Sequence, residues 1–495
     1  MSRRTRALVP VLVFTTASVA LISAVGAPLI PSIARDMHVS LDSAQWTLTV
    51  TVLVGAVCAP IMGRLGDGPR RREAMILGLT ATVLGCVTAA LAGSLGILII
   101  GRALQGVGLG LLPLTMSAAR DHLPRAQARS VIALLSVCVT AGGAVGFPVS
   151  GLLDQTFGLS AAYWVAAAIS AGALICVVVV LPESTHRKAA KLDFLGALLL
   201  ACGLSALLLA IAEGNSWGWR SPATISLFAG SAATLLIWVF QQLRTNHPLV
   251  ELRLLNRPAV LTAHVCAMVQ GTAMYMFLSA VSEFVQTPVT SGYGFGSAPL
   301  VAGLCLVPLS MTSIAVSRTL PWLTARIGDR ALLPLGSLVV AAAGVFFALT
   351  HAHLWEALVM MAVLGVGLGL TNAAIPGLIV HAVPEKETGS ALGFNLVVRN
   401  VGFALGSAMT GMILASHTPL GGALPTISGY TVVLWIATGI CVVAAALTWS
   451  LHGAMDRPTE RTPEDQRFAM ENAELGPLGA IALPEDAGRW ARREA

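Results

Sequence analysis

The sequence predicts an all-α polytopic membrane protein. Three observations carry that expectation: 56% of its 495 residues are hydrophobic, only 11% are charged, and the apolar residues gather into about fourteen membrane-length stretches. A soluble domain carries roughly 25% charged residues and could not hide so much apolar surface. A hydrocarbon core about 30 Å thick asks instead for about 20 apolar residues per helix. The net charge of +6 points to no nucleic-acid partner, because the basic residues lie in alternate loops and form no single patch.

Apolar windows bounded by charges or turn residues set the spans in order. Span 1 (8–30) follows Arg3, Arg4 and Arg6. A basic cluster before an apolar run resembles a secretory signal, but the run reaches Ile30 and many spans follow, so it reads as a first transmembrane helix. Span 2 (46–66) runs from Trp46 into a basic turn, and spans 3 (73–92) and 4 (95–117) are parted by Gly93 and Ser94. Spans 5 (131–153) and 6 (162–181) flank Asp154 and Gly158. Spans 7 (194–212) and 8 (222–242) flank Glu213, Trp217 and Trp219. Spans 9 (259–284), 10 (298–317), 11 (331–350), 12 (355–380), 13 (391–415) and 14 (428–451) complete the set.

Loop charges give the orientation, since Lys and Arg concentrate on the cytoplasmic side. Of the 30 basic residues, 26 fall in the N-terminus, every second loop and the tail; only Arg35 and Arg220 lie in the other loops, and Arg102 and Arg399 lie inside spans. Both termini are therefore expected in the cytoplasm, with an even number of crossings. Residues 453–495, rich in Pro, Glu, Asp and Arg, read as a mostly disordered cytoplasmic tail. The 8 cysteines form no CxxC pair and imply neither disulfide nor metal.

An internal repeat organises the chain. Gly106-Val107-Gly108-Leu109-Gly110-Leu111 in span 4 recurs as Gly365-Val366-Gly367-Leu368-Gly369-Leu370 in span 12, and Gly142, Gly146 and Gly151 recur as Gly402, Gly406 and Gly411. The expected domains are a six-helix bundle over 8–182, two linker helices over 193–243, and a second six-helix bundle over 258–451. Repeated halves flanking a midplane site are the usual build of secondary transporters.

Several segments carry candidate chemistry. Gly63-Arg64-Leu65-Gly66-Asp67-Gly68-Pro69-Arg70-Arg71-Arg72 is a tight basic turn with one acid. Arg102, with Gln105 and Gly106 on its face, places a cation within a span, where a charge is costly and normally meets a partner or an aqueous cavity. In span 5, Gly142, Gly146 and Ser150 form a stripe that allows close helix approach, with Pro148 and Gly151 beside it.

These motifs resemble those of the major facilitator superfamily. Gln45-Trp46, Asp193-Phe194-Leu195-Gly196, Glu213-Gly214, Trp217-Gly218-Trp219 and Pro248-Leu249-Val250-Glu251-Leu252-Arg253-Leu254 narrow the likeness to its fourteen-span drug:proton antiporters, over about residues 8–451. The resemblance implies two six-helix bundles plus two extra central helices. It makes Asp67 a latch carboxylate with Arg71 and Arg72 as its basic partners, gives Arg102 and Gln105 a part in proton coupling, and assigns Gly142, Gly146, Pro148 and Gly151 to the antiporter motif. Gly68, Arg70 and Phe147 depart from the family pattern. So does Ala325, which stands where the second copy of the turn should have its acid.

The resemblance also points to Ile22, in a slot that usually holds an acid, and to Arg399, Asn400 and Asn395 as residues of a central cavity. Trp46, His264, Gln270, Glu283, Gln286 and Asn372 are further polar or aromatic candidates within or near spans. The chain has no HExxH, GxSxG or GxxxxGK[ST], which argues against an enzyme and against an ATP-driven pump. The expectation is a secondary exporter of small amphipathic compounds by proton antiport, embedded in lipid in a bacterial cytoplasmic membrane and needing no cofactor, metal or ATP. The alternative is an exporter of one endogenous metabolite, such as a self-made antibiotic, a lipid precursor or an amino acid.

Overall fold

The computed structural model describes residues 3–26, 29–39, 41–183, 193–327, 329–384, 387–419 and 424–455. They form the helices α1 (Arg3–Ala24), α2 (Ile30–Asp36), α3 (Leu41–Gly66), α4 (Arg71–Ala90), α5 (Leu95–Leu109), α6 (Leu111–His122), α7 (Arg125–Phe157), α8 (Leu159–Val180), α9 (Phe194–Trp217), α10 (Pro222–Arg244), α11 (Pro258–Gln286), α12 (Pro299–Leu304), α13 (Leu306–Ile327), α14 (Asp329–Leu349), α15 (Leu354–Ala382), α16 (Thr388–Ser416) and α17 (Ile427–Met455). No strand occurs among the described residues.

Thirteen spans among the described residues are long and apolar enough to cross a membrane. Helix α7, at 33 residues, supplies the fourteenth membrane-length element. The expected spans are all present as helix, with three differences. Span 1 stops at Ala24 and the chain restarts as the short α2, with Pro31 in the first turn, where a missing N–H is harmless. Span 4 is split at Gly110 into α5 and α6, and span 10 at Cys305 into α12 and α13. At the other end α17 continues to Met455, two residues past the expected start of the tail, whose remainder lies outside the described residues.

Local chemistry sets several ends. The Asp193 side chain accepts from Gly196 N at 2.8 Å, capping α9, and Ser221 caps α10 ahead of Pro222 at its first position. His353 and Glu356 form a reciprocal capping box at the start of α15.

Packing divides the chain into two bundles. Helix α1 lies on α7 and α8, α3 on α5, and α4 on α5 and α8; in the second bundle α11 lies on α16, and α15 on α13 and α14. The α9–α10 pair rests on α3 and α16, so it covers a line where the bundles meet. The sequence repeat is a structural repeat. A Cβ on Gly106 would sit 2.6 Å from Thr51 O on α3, and one on Gly365 equally inside 3.0 Å of Leu309 O on α13. Thr51 Oγ1 donates to Arg102 O at 3.1 Å, and its counterpart Thr312 Oγ1 donates to Ala362 O at 2.8 Å. The Gly142 and Gly146 stripe presses on α1 as Gly402 and Gly406 press on α11. Helices in lipid gain nothing from burying more apolar surface, so such close backbone contact, bought with glycine, is what binds each bundle.

Candidate functional site

The bundles meet closely at the end rich in arginine, called here the basic end. Helix α3 crosses α16 there at Gly63 and Gly389, and a Cβ on either glycine would collide with the other's carbonyl oxygen. Asp67, just past the end of α3, aims its carboxylate at the start of α16, where the first N–H groups lack intrahelical partners. It accepts from Gly389 N at 2.6 Å and from Ser390 N at 2.9 Å. Burial pushes the Asp67 carboxyl up to about 7; those two N–H bonds oppose the shift, the nearby Glu387 charge adds to it, and Arg64 counters it.

The basic partners expected for Asp67 are not the ones it has. Arg71 donates Nε to Gly66 O at 2.7 Å and pairs with Asp121, while Arg72 reaches Val178 O at 2.8 Å. Both arginines tie the first bundle to itself, because the orphan N–H groups of α16 already satisfy the carboxylate. A second link across the seam was not foreseen: Arg64 pairs with Glu387 at 2.6 Å, both side chains largely buried. The only sequence signal for it is an acid immediately before the Thr388-Gly389 helix start.

Arg102 sits about 10 Å from the opposite end of its helix and does not snorkel; it is 0% exposed. Its Nε donates to Thr47 O at 3.1 Å, and Nη1 donates to Gln105 Oε1 at 2.6 Å and to Ile22 O at 3.5 Å. Among the described residues, its Nη2 and Tyr163 Oη are buried without hydrogen-bond partners. The Ile22 side chain packs with Cys86, Ala166 and Ala167 inside the first bundle. Trp46 is half-buried on α3, and Pro148 is half-buried within α7 beside Gly151.

Between the bundles lies a small, partly open cleft of about 30 Å³. The first bundle lines it with Leu112, Pro113, Met116 and Ser136, and the polar residues of the second are Asn372, Asn395 and Arg399; among the described residues no carboxylate borders it. Arg399 lies 5.7 Å over the Phe403 ring, and its Nε finds no hydrogen-bond partner among the described residues. Other candidates stand elsewhere. His264 is behind Asn395, 3.1 Å from its Nδ2. Gln270 donates to Ser337 Oγ at 3.0 Å within the second bundle. Asn400 is buried on α16 off the cleft wall. Glu283 and Gln286 are exposed near the far end of α11, where Gln286 Nε2 donates to Ser282 O at 2.9 Å.

Comparison with known proteins agrees with this architecture. Residues 12–407 match the family model of the Major Facilitator Superfamily. The chain is 28% identical over 78% of its length to the multidrug resistance protein Stp of Mycobacterium tuberculosis, covering 72% of that protein. It is 25% identical to the tetracenomycin C resistance and export protein of Streptomyces glaucescens, covering 81% of this chain and 74% of the relative. The puromycin resistance protein of Streptomyces alboniger is 27% identical, with 88% of each chain covered. The crystal structure of the human organic anion transporter MFSD10 superposes with a TM-score of 0.63 at 15% identity, covering 90% of this chain and all of that one. The protein is a multi-pass membrane transporter, and the chain belongs to the major facilitator superfamily.

Proposed function

We propose that the protein exports small amphipathic compounds, neutral or anionic rather than dicationic, by proton antiport with alternating access. The basic end faces the cytoplasm of a bacterial cell, and the bundles 8–182 and 258–451 rock about the cleft, with 193–243 as linker helices. In this reading the structure is the state sealed towards the cytoplasm: Asp67 on the α16 N-terminus and the Arg64–Glu387 pair are the links that opening must break. Arg102 and Gln105 serve coupling from inside the first bundle, and Asn372, Asn395 and Arg399 meet the substrate.

The single observation that carries the substrate class is the cleft wall: among the described residues it has apolar side chains, two carboxamides and an arginine with an unpaired Nε, and no carboxylate. An unpaired dication there would cost several kcal/mol even after relaxation, whereas an anionic or carbonyl oxygen would satisfy the guanidinium. Uptake of matched neutral, anionic, monocationic and dicationic analogues into inside-out vesicles tests it. Dications carried as well as the neutral analogue would overturn the selectivity.

Relatives named for tetracenomycin C, puromycin and actinorhodin support a second reading, the export of one self-made compound. Competition separates the two: a multidrug pump is inhibited by several unrelated amphiphiles, a dedicated exporter by close analogues alone.

A further inference from the structure

The α11–α16 contact holds a histidine whose protonation state is fixed by its neighbours. Asn395 Nδ2 lies 3.2 Å from Ala263 O and 3.1 Å from His264 Nδ1. A carbonyl oxygen only accepts, so the amide atom facing it is the nitrogen. The same nitrogen faces His264, so Nδ1 must accept too, and the ring is neutral with its proton on Nε2. A proton arriving at Nδ1 would set N–H against N–H. Rotating the amide to offer Oδ1 to Nδ1–H would turn an oxygen towards Ala263 O, so either way one of the two bonds is lost.

We propose that His264 is a proton-binding site sensed by Asn395, and that its protonation loosens α16 from α11 beside the seal between the bundles. The coupling distance is short: Asn395 is five residues, about 7 Å along the helix, from Ser390, whose N–H is held by Asp67. Asn395 also borders the cleft, so one side chain touches the titrating ring and the substrate space.

The surroundings resist the charged ring in this state. From α16, Phe394 packs edge-on at 5.2 Å, and Trp238 of α10 stacks behind it at 6.1 Å. The charged group that α16 presents is Arg399, one turn beyond Asn395. On α11 the nearest is Arg257, bonded to Ala382 O, and in the adjoining turn Arg253 lies 3.9 Å from Glu251 at the basic surface. No carboxylate is recorded on His264 among the described residues, so a proton there acts against the sealed state rather than for it. In an antiporter that is the useful sign: a proton taken up while the cytoplasmic side is closed drives it open.

This inference rests on the proton-driven reading above, and its test needs no substrate. Spin labels at Glu73 on α4 and Arg326 on α13, both exposed, report the seam at the basic end in nanodiscs from pH 8 to pH 5. His264→Asn keeps an acceptor at the Nδ1 position and cannot titrate. The two proteins should coincide at pH 8, and at pH 5 the wild type should show an open-to-sealed ratio roughly tenfold above the variant, the effect of losing one buried hydrogen bond. Asn395→Leu, which removes the sensor, should follow the variant. Superimposed wild-type and His264→Asn titrations, or an Asn395→Leu titration that matches wild type, would overturn the proposal. A wild type that shows the step yet fails to antiport would sink the transport reading and leave this one standing.

Discussion

Replacing Gly63 by alanine should loosen the seal without unfolding either bundle. The added Cβ would stand 2.8 Å from the Gly389 carbonyl carbon and closer than 3.0 Å to its oxygen. These are backbone atoms of α16, so no side chain can swing aside. The helices must separate by about an ångström to reach the 3.4 Å of ordinary contact. That stretches the 2.6 and 2.9 Å bonds from Asp67 past the usual 2.7–3.2 Å N–H···O range. Overpacking of this kind costs about 1–3 kcal/mol, equivalent to roughly a 5- to 150-fold shift in the sealed-to-open equilibrium. Alanine's helix propensity, worth about 1 kcal/mol over glycine, acts in both states and cancels. Double electron–electron resonance between labels at Glu73 and Arg326, in a background without native cysteines, should show a longer-distance population. Gly96→Ala, with nothing within 4 Å of the new methyl, should not. A Gly63→Ala distribution identical to the parent would refute the reasoning.

Three further outcomes are expected. Arg102→Ala should insert and fold yet abolish net transport, and Arg102→Lys should be impaired because an ammonium cannot bond Thr47 O and Gln105 Oε1 in the fork geometry of the guanidinium; near-normal efflux by the alanine variant at equal expression would reject a coupling role. Asp67 has its proton affinity raised to about 7 in the sealed state against about 3.9 in water, so its own contribution, opposite in sign to that of His264, makes the seal firmest in acid and weaker as cytoplasmic pH rises through 7. In a His264→Asn background, Asp67→Asn should remove that dependence, and a persistent slope across pH 7 in the double variant would contradict it. Single cysteines near Ser94 or Thr418 should label from outside intact cells and those near Arg70 should not; the reverse pattern would invert the topology.

The helices were legible because a bilayer demands long apolar runs, and the two bundles because Gly106 and Gly365 are wedged by the same geometry in each copy. What local pattern could not give was pairing. Asp67 meets residues 322 and 323 positions away, and nothing in a basic turn tells a helix N-terminus from an arginine as its partner. The breaks at Gly110 and Cys305 were hidden because both halves of each broken span are equally apolar. Ile22 was placed near the cleft through its slot in span 1, yet its neighbours Cys86 and Ala166 lie in the first bundle. His264 was visible as a polar residue in a span, but its role turns on Asn395, 131 residues on.

The central claim is gradient-driven movement of amphiphiles through the cleft, and transport by the purified protein in proteoliposomes tests it most directly. Vesicles loaded at acid pH and diluted into alkaline buffer should accumulate uncharged members of a chemically varied amphiphile panel, which pH alone cannot trap, and should lose them when an ionophore collapses the gradient. Equal movement with and without the gradient, or no movement of any panel member, would contradict the account.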